Sequence, residues 1–381
     1  MRPAFQLSLL SLTLSAVLMG CATTSKAPRP VPTQPYERPV VVAEDPADPM
    51  TAYVSGVPPL VSDRFLLDDP QQQIVGSVQI IEARYEDTFV DVARAYNLGF
   101  DELIEANPDV DPWLPGAGTR IVLPTRFILP DAPREGIVIN LASKRLFWYV
   151  PADAEGKQAV MTFPIGIGLQ GTATPIGATT ITQKVKDPTW FVPAAIRAEY
   201  AAEGTPLPKQ VPPGPDNPLG THALLLGMPS YLIHGTNRPA GVGMRVSHGC
   251  VRMFPENIEM LYQVIPVGEP VSIVDQPLLA GWDNGQLYLE AHQPLVDDSR
   301  DWPALLPDML YEIAVNGPFK EVPRFDPERV DDIRAQSRGI PLPVLRGSPA
   351  PGTYLGDSLF VNNVIVLPPM IRGQVARESG K

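Results

Sequence analysis

The clearest periodicity in the chain lies between Gly76 and Pro124. Phe89, Val92, Ala93 and Tyr96 fall at i, i+3, i+4 and i+7, one face of a helix, and Thr88 stands where a capping side chain belongs. Phe100, Leu103 and Ile104 predict a second short helix that stops at Asn107-Pro108. Val78 to Ile81 and Arg120 to Leu123 read as flanking strands, the second entered through a Pro115-Gly116 turn. The predicted order is β-α-α-β in about fifty residues.

From Arg134 to Asp275 the pattern becomes one of short strands. Ile137 to Leu141 and Arg145 to Val150 bracket Ala142-Ser143-Lys144 as a hairpin. Val160 to Ile167, Thr179 to Val185, Leu224 to Leu226, Leu232 to His234 and Val271 to Val274 read as further strands. One helix stands out: Pro255 suits its first turn, and Ile258, Leu261, Tyr262 and Ile265 share a face. Lys186 to Gly220 is a long proline-rich excursion of the kind that is often a functional loop. Residues 276–381 form a proline-punctuated extension with one predicted helix, Pro327 to Arg338, and no readable role.

The N-terminus has a different character. Arg2 precedes an apolar run, Phe5 to Leu18, too short to span a bilayer comfortably, which is the anatomy of a secretory signal. Its end, Leu18-Met19-Gly20-Cys21, resembles the lipobox of bacterial lipoproteins. That resemblance implies a signal peptide over residues 1–20, a lipidated Cys21 and contact with a membrane through the lipid. Ala22 after the cysteine, where lipoproteins kept at the inner membrane typically carry Asp, points to the outer membrane and the periplasm. Residues 21–75 then read as a proline-rich tether, partly polyproline II, with apolar patches at Val40-Val41-Val42 and Phe65-Leu66-Leu67.

Composition narrows the field. The chain has 381 residues, of which 46 are proline, and 44% hydrophobic content is enough for real cores between the linkers. A formal charge of −12 argues against nucleic acid and against polybasic lipid binding. There are two cysteines, Cys21 and Cys250. With the first lipidated, the second is a lone thiol in an exported chain, a hazard unless buried or used.

Cys250 lies in the most informative stretch: Ile233-His234-Gly235-Thr236-Asn237, then Ser247-His248-Gly249-Cys250-Val251-Arg252. A thiol that attacks a carbonyl needs an imidazole to take its proton, and backbone N–H groups close by for the oxyanion. His234 or His248 can supply the first, and Gly249 permits the second. Two histidines and a cysteine also suggest zinc, but no clean third or fourth ligand completes a set, since His222 falls on a loop; no metal or cofactor is expected. A papain-like protease would place cysteine before histidine, the reverse of this order.

Two resemblances follow from these residues. The segment from Gly76 to Pro124, with Asp87-Thr88, Asn107-Pro108, Pro115-Gly116 and Ile121-Val122-Leu123-Pro124, resembles the LysM module that binds peptidoglycan glycan strands. It implies a segment, 76–124, that contributes wall binding and not chemistry. Residues 134–275 resemble the YkuD-type L,D-transpeptidases, whose signature is a histidine followed by Ser/Thr-His-Gly-Cys. Here His234 precedes Cys250 by sixteen residues, as in the enterobacterial periplasmic branch. Gly171-Thr172 with Thr174-Pro175-Ile176-Gly177, Pro188-Thr189-Trp190 and Gly214-Pro215-Asp216-Asn217-Pro218-Leu219-Gly220 look like family blocks in family order.

The second resemblance implies a mainly β architecture: a YkuD-like β-sandwich behind the small βααβ unit. It implies Cys250 as nucleophile and His234 as base, its other ring nitrogen held by a backbone carbonyl, that of Gly235. Gly249 and Cys250 would line the oxyanion hole, His248 would shape the pocket, and Arg252 would bind a substrate carboxylate. Asn237 and Ser247 would brace the loops, and Trp190 would be a lid or a core residue. His292 lies outside the motif and reads as structural or exposed. The implied partners are peptidoglycan stem peptides and glycan strands, with a stem amine, the lysine of an outer-membrane lipoprotein or water as acyl acceptor. The rival is a non-catalytic wall-binding lipoprotein, which has no use for a free thiol.

Overall fold

The computed structural model describes residues 63–365. The expected signal peptide, Cys21 and the tether up to residue 62 lie outside them. The described end of the expected tether is part of the fold: β1 (Arg64–Leu66) pairs antiparallel with a strand of the large sheet, and β2 (Ile74–Gly76) pairs with a strand near residue 127. Phe65-Leu66-Leu67 dock on a sheet edge because backbone pairing satisfies the extended chain there.

The β-α-α-β unit forms where the periodicity placed it: β3 (Gln79–Glu82), α1 (Phe89–Ala95), α2 (Phe100–Ala106) and β4 (Arg120–Leu123), with β3 antiparallel to β4. Thr88 caps α1, its hydroxyl accepting from the Asp91 N–H. Phe89, Val92, Ala93 and Tyr96 are all buried. Asn107 closes the unit: its amide donates to the Leu103 and Val122 carbonyls and accepts from the Val122 N–H, tying the end of α2 to β4. The Asn-Pro stop is therefore also a tertiary pin.

Next come β5 (Arg126–Ile128), which pairs with β2, then β6 (Gly136–Asn140), β7 (Arg145–Val150), β8 (Ala159–Pro164), β9 (Ile167–Gly168) and β10 (Gly177–Lys186). The insertion folds as β11 (Trp190–Phe191), α3 (Ala194–Ala202) and β12 (Gln210–Val211). The chain then forms β13 (His222–Leu226), β14 (Leu232–His234), β15 (Arg245–Ser247), β16 (Val251–Arg252), α4 (Pro255–Val264) and β17 (Pro270–Val274). Nine strands make one mixed sheet in the order β1-β8-β7-β6-β17-β10-β13-β14-β16.

The strands β6 to β8 are buried on both faces, so their alternation serves two cores at once. Ile137, Ile139, Leu146, Trp148 and Phe163 face a core with Ile233, Val251, Ile258 and Leu261. Val138, Phe147, Tyr149 and Val160 point the other way, into a cluster shared with Ile81, Phe89, Val92 and Leu103 of the small unit. The small unit and the large sheet thus have no apolar surface of their own at this contact; they share one core.

Residues 276–365 are a folded part of the molecule. A hairpin, β18 (Leu278–Asp283) and β19 (Gln286–Ala291), turns at Asn284-Gly285, both in left-handed backbone (φ 49° and 74°), and an Asn-Gly pair tolerates that geometry. Then follow α5 (Trp302–Val315), the expected α6 (Pro327–Gln336), β20 (Leu342–Pro343), α7 (Pro351–Gly356) and β21 (Leu359–Phe360). β21 adds a parallel strand to β3. Among the described residues, no helix is long and apolar enough to cross a membrane, and no group of side chains could hold a metal ion.

Candidate active site

Two short strands build the site. In the parallel pair β14/β16, Ile233 lies opposite Val251 and His234 opposite Arg252. Ile233 and Val251 are fully buried in the core beneath. Side chains alternate along a strand, so His234, Arg252 and Cys250 share the opposite face. The register is held from the other side too: Gly166 and Arg252 exchange backbone hydrogen bonds of 2.7 and 2.8 Å, and the Met253 N–H donates to the His234 carbonyl.

His234 is buried, and its Nδ1 lies 2.6 Å from the Gly235 carbonyl. A carbonyl only accepts, so Nδ1 carries the hydrogen and Nε2 keeps its lone pair. Burial, and then the Arg252 charge, push the imidazole down to about 3, against the pull of the Gly235 and Leu219 carbonyls. Burial pushes the Cys250 thiol up, opposed by a hydrogen bond from the Leu232 backbone and by Arg252. Both shifts favour the uncharged form, imidazole on one side and thiol on the other. The Cys250 thiol donates to the Ser230 carbonyl at 3.6 Å, on a turn where Ser230 adopts left-handed backbone (φ 73°).

Gly249 explains itself. Its φ is +102°, and a Cβ there would lie 2.9 Å from the Tyr231 ring. The Gly249 carbonyl accepts from Thr174 Oγ1 at 2.8 Å, and the Cys250 carbonyl accepts from Ser247 Oγ at 2.6 Å. Ser247 thus ties the two ends of the turn together. Thr174, Tyr231 and Ser230 are contacts that the sequence reading did not assign, although Thr174 lay inside a noted block. Asn237 is half-buried on the loop after β14, where the Thr236 hydroxyl accepts from the Arg238 N–H and braces the chain. Gly235 packs its bare Cα against Ile258, where a Cβ would come within 3.1 Å.

The insertion reaches the nucleophile turn through a residue outside the motifs. His248 Nε2 meets Glu199 Oε2 of α3 at 3.0 Å. Trp190 is half-buried in β11, paired with β12, and it is Glu199 that fastens the excursion to the turn. Arg252 rises from the same sheet face as His234. Its Nε is buried without a hydrogen-bond partner, no carboxylate among the described residues pairs with it, and burial together with Arg238 holds its pKa down. His222 opens β13 instead of lying on a loop, its ring tilted against Tyr262 and its Nδ1 at 3.0 Å from the Thr221 hydroxyl. His292 is buried against Glu290 at 2.8 Å.

Comparison with known proteins identifies the family. The family model described as "YkuD: L,D-transpeptidase catalytic domain" matches residues 134–273. The chain is 43% identical over 267 residues to "Probable L,D-transpeptidase YcfS" of Escherichia coli K12, covering 69% of this chain and 82% of that protein. It is 47% identical over 205 residues to "Probable L,D-transpeptidase YbiS" of the same strain, covering 53% of this chain and 65% of that one. "Probable L,D-transpeptidase ErfK/SrfK" of Salmonella typhimurium is 39% identical, with 68% and 82% covered. The solved catalytic domain of an Enterococcus faecium L,D-transpeptidase matches at 19% identity and TM-score 0.28, covering 38% of this chain and 99% of that chain.

Proposed function

Since the chain belongs to the family of L,D-transpeptidases built on the YkuD catalytic domain, we propose that Cys250, His234 and Arg252 carry out its acyl transfer on peptidoglycan stems. The protein is a peptidoglycan L,D-transpeptidase, an acyltransferase.

His234 takes the Cys250 proton on its free Nε2, and the sulfur attacks the carbonyl of diaminopimelate in a tetrapeptide stem. The oxyanion is held by the Gly249 and Cys250 N–H groups. A trans peptide points the Cys250 N–H away from the Gly249 carbonyl, which Thr174 pins, so the donor direction is set in advance. The C–N bond then breaks, the leaving D-alanine amine takes the proton from His234, and a thioester remains. An acceptor amine attacks it, forming an amide and restoring the thiol. Arg252, with no carboxylate partner among the described residues, holds a stem carboxylate beside the reacting carbonyl. The observation that carries the reading is the Nδ1–H to Gly235 bond, which leaves His234 as a base and not as an acid.

The acceptor is a second stem amine or the terminal lysine of an outer-membrane lipoprotein. The β-α-α-β unit adds binding to glycan strands, and a lipid on Cys21 holds the enzyme at the outer membrane facing the periplasm. Mass spectrometry of muropeptides after incubation with tetrapeptide murein tests the reaction. D-alanine release with new 3→3 cross-links is expected, and none with Cys250→Ala. Release without any amide product would make it a carboxypeptidase. No release by the wild-type chain, together with no acylation by a carbapenem, would leave a wall-binding protein.

A further inference from the structure

Base and nucleophile are joined by a fifteen-residue excursion, Gly235 to Gly249. The middle of that excursion rests on the small β-α-α-β unit. At the start of α2, the Phe100 N–H donates to the Val242 carbonyl at 3.2 Å. Gly99 packs backbone to backbone on Gly243: a Cβ on Gly99 would lie 2.9 Å from the Gly243 Cα, and one on Gly243 (φ +87°) would overlap Gly99. Val242 is buried, and Met244 packs against the core cluster that the unit shares with the sheet.

The far side of the same loop touches the site. A Cβ on Gly166 would lie 3.2 and 3.3 Å from the Gly241 and Met244 carbonyls and 3.4 Å from the Arg252 Cβ. Gly166 is the residue that exchanges both backbone hydrogen bonds with Arg252. The layers run without a gap from α2, through residues 241–244, to the strand that carries Arg252 two places after Cys250.

Polar contacts fix the orientation of the unit. Arg94 makes a two-bond fork, 3.0 and 2.8 Å, to Glu256 at the start of α4. Asn97 donates to the Thr162 carbonyl and accepts from Asn257. Glu102, whose carboxylate also accepts from the Gly99 N–H, is buried against Arg145 of β7. A freely swinging wall-binding module has no need of such contacts, because a loose linker serves that task.

We propose that the β-α-α-β unit is a positioning element of the catalytic site, in which Gly99 and Phe100 at the start of α2 set the path of residues 241–244 and hence the placing of Cys250 and Arg252. This rests on the active-site assignment above and goes beyond wall binding, the one role expected from sequence.

The test uses the full chain and a substitution where packing leaves no room. Gly99→Ala forces the two backbones apart. Its control is Ile81→Val, on β3 and outside both α2 and residues 241–244, which loosens the buried core of the same unit. Gly99→Ala should raise hydrogen–deuterium exchange in the 236–249 peptide and slow carbapenem acylation of Cys250 by about tenfold or more, with kcat for a soluble stem falling more than KM rises. Ile81→Val should lower the melting temperature yet leave exchange in that peptide and the acylation rate near wild type. Should Gly99→Ala not fold, Arg94→Lys, which keeps the charge and loses the fork, takes its place in the same comparison. Unchanged exchange in 236–249, or loss of activity that tracks melting temperature alike in both variants, overturns the proposal. Exchange is read without turnover, so failure of the transpeptidase reading shows separately, as a wild-type chain that the carbapenem leaves unmodified.

Discussion

His234 and Arg252 are Cα partners across the parallel pair β14/β16, so imidazole and guanidinium rise from one face of the sheet. Their closeness has an electrostatic consequence: the fixed positive charge helps keep the imidazole neutral and ready to accept a proton. It also leaves a cation that no carboxylate among the described residues pairs with, as the proposed substrate role requires.

That cation can be tested with Arg252→Lys. Lysine keeps the charge and loses the planar fork, so reaction with the stem peptide should fall by about tenfold or more, equivalent to ~1.4 kcal/mol. Carbapenem acylation, whose contacts differ, should fall less, and the melting temperature should barely move. Equal losses in both reactions with a lower melting temperature would make Arg252 a structural residue.

Two buried histidines titrate in opposite senses, which sets the pH dependence of stability. Native His234 gains its proton only at about 3, against 6.5 for an unperturbed imidazole. The unfolded chain therefore binds the proton first, and the stability held above about pH 6.5 is lost as pH falls toward 3, by at most ~4–5 kcal/mol. His292 runs the other way. Despite its burial, the hydrogen bond and charge of Glu290 raise its pKa, so its contribution is full below about 6.5 and is lost as pH rises through the folded value. Melting temperature should peak between these limits, and His292→Gln should flatten the alkaline side alone. A carbapenem acylation rate that collapses between pH 6 and 5 would contradict a neutral His234.

Glu199→Ala removes the link between α3 and His248. The pair is partly solvent-exposed, so the stability cost should be under ~1 kcal/mol. Stem-peptide KM should rise severalfold as the insertion loosens from the nucleophile turn. A large fall in melting temperature with KM unchanged would show that the contact serves folding instead.

Cys21→Ala should move the protein from the outer-membrane fraction to the soluble periplasm, leaving transfer on soluble muropeptides intact. A variant that still sediments with membrane would remove the lipid anchor from the proposal.

Local structure was legible wherever a short-range rule governed it. The cap at Thr88, the stop at Asn107-Pro108, strand Leu232 to His234 and the helix from Pro255 all form at their predicted places, because periodicity and capping are properties of a few adjacent residues. The C-terminal part was less legible. Asn284-Gly285 was an available hairpin signal, whereas α5, with Pro307 inside it, offers a pattern that argues against a helix.

The sequence by itself carried the candidate chemistry: the types and order of His234, His248, Gly249, Cys250 and Arg252 suit a thiol nucleophile and resemble one family's signature. Tertiary structure decided how those groups are held. Nothing local says that Thr174 pins the Gly249 carbonyl, that Glu199 meets His248, or that Gly99 seats Gly243. Each contact joins residues many positions apart, and its partner is chosen by how the sheet curls and by which core the second face of β6 to β8 is buried against. An alternating strand pattern shows that a face will be buried; only the packed fold supplies what covers it.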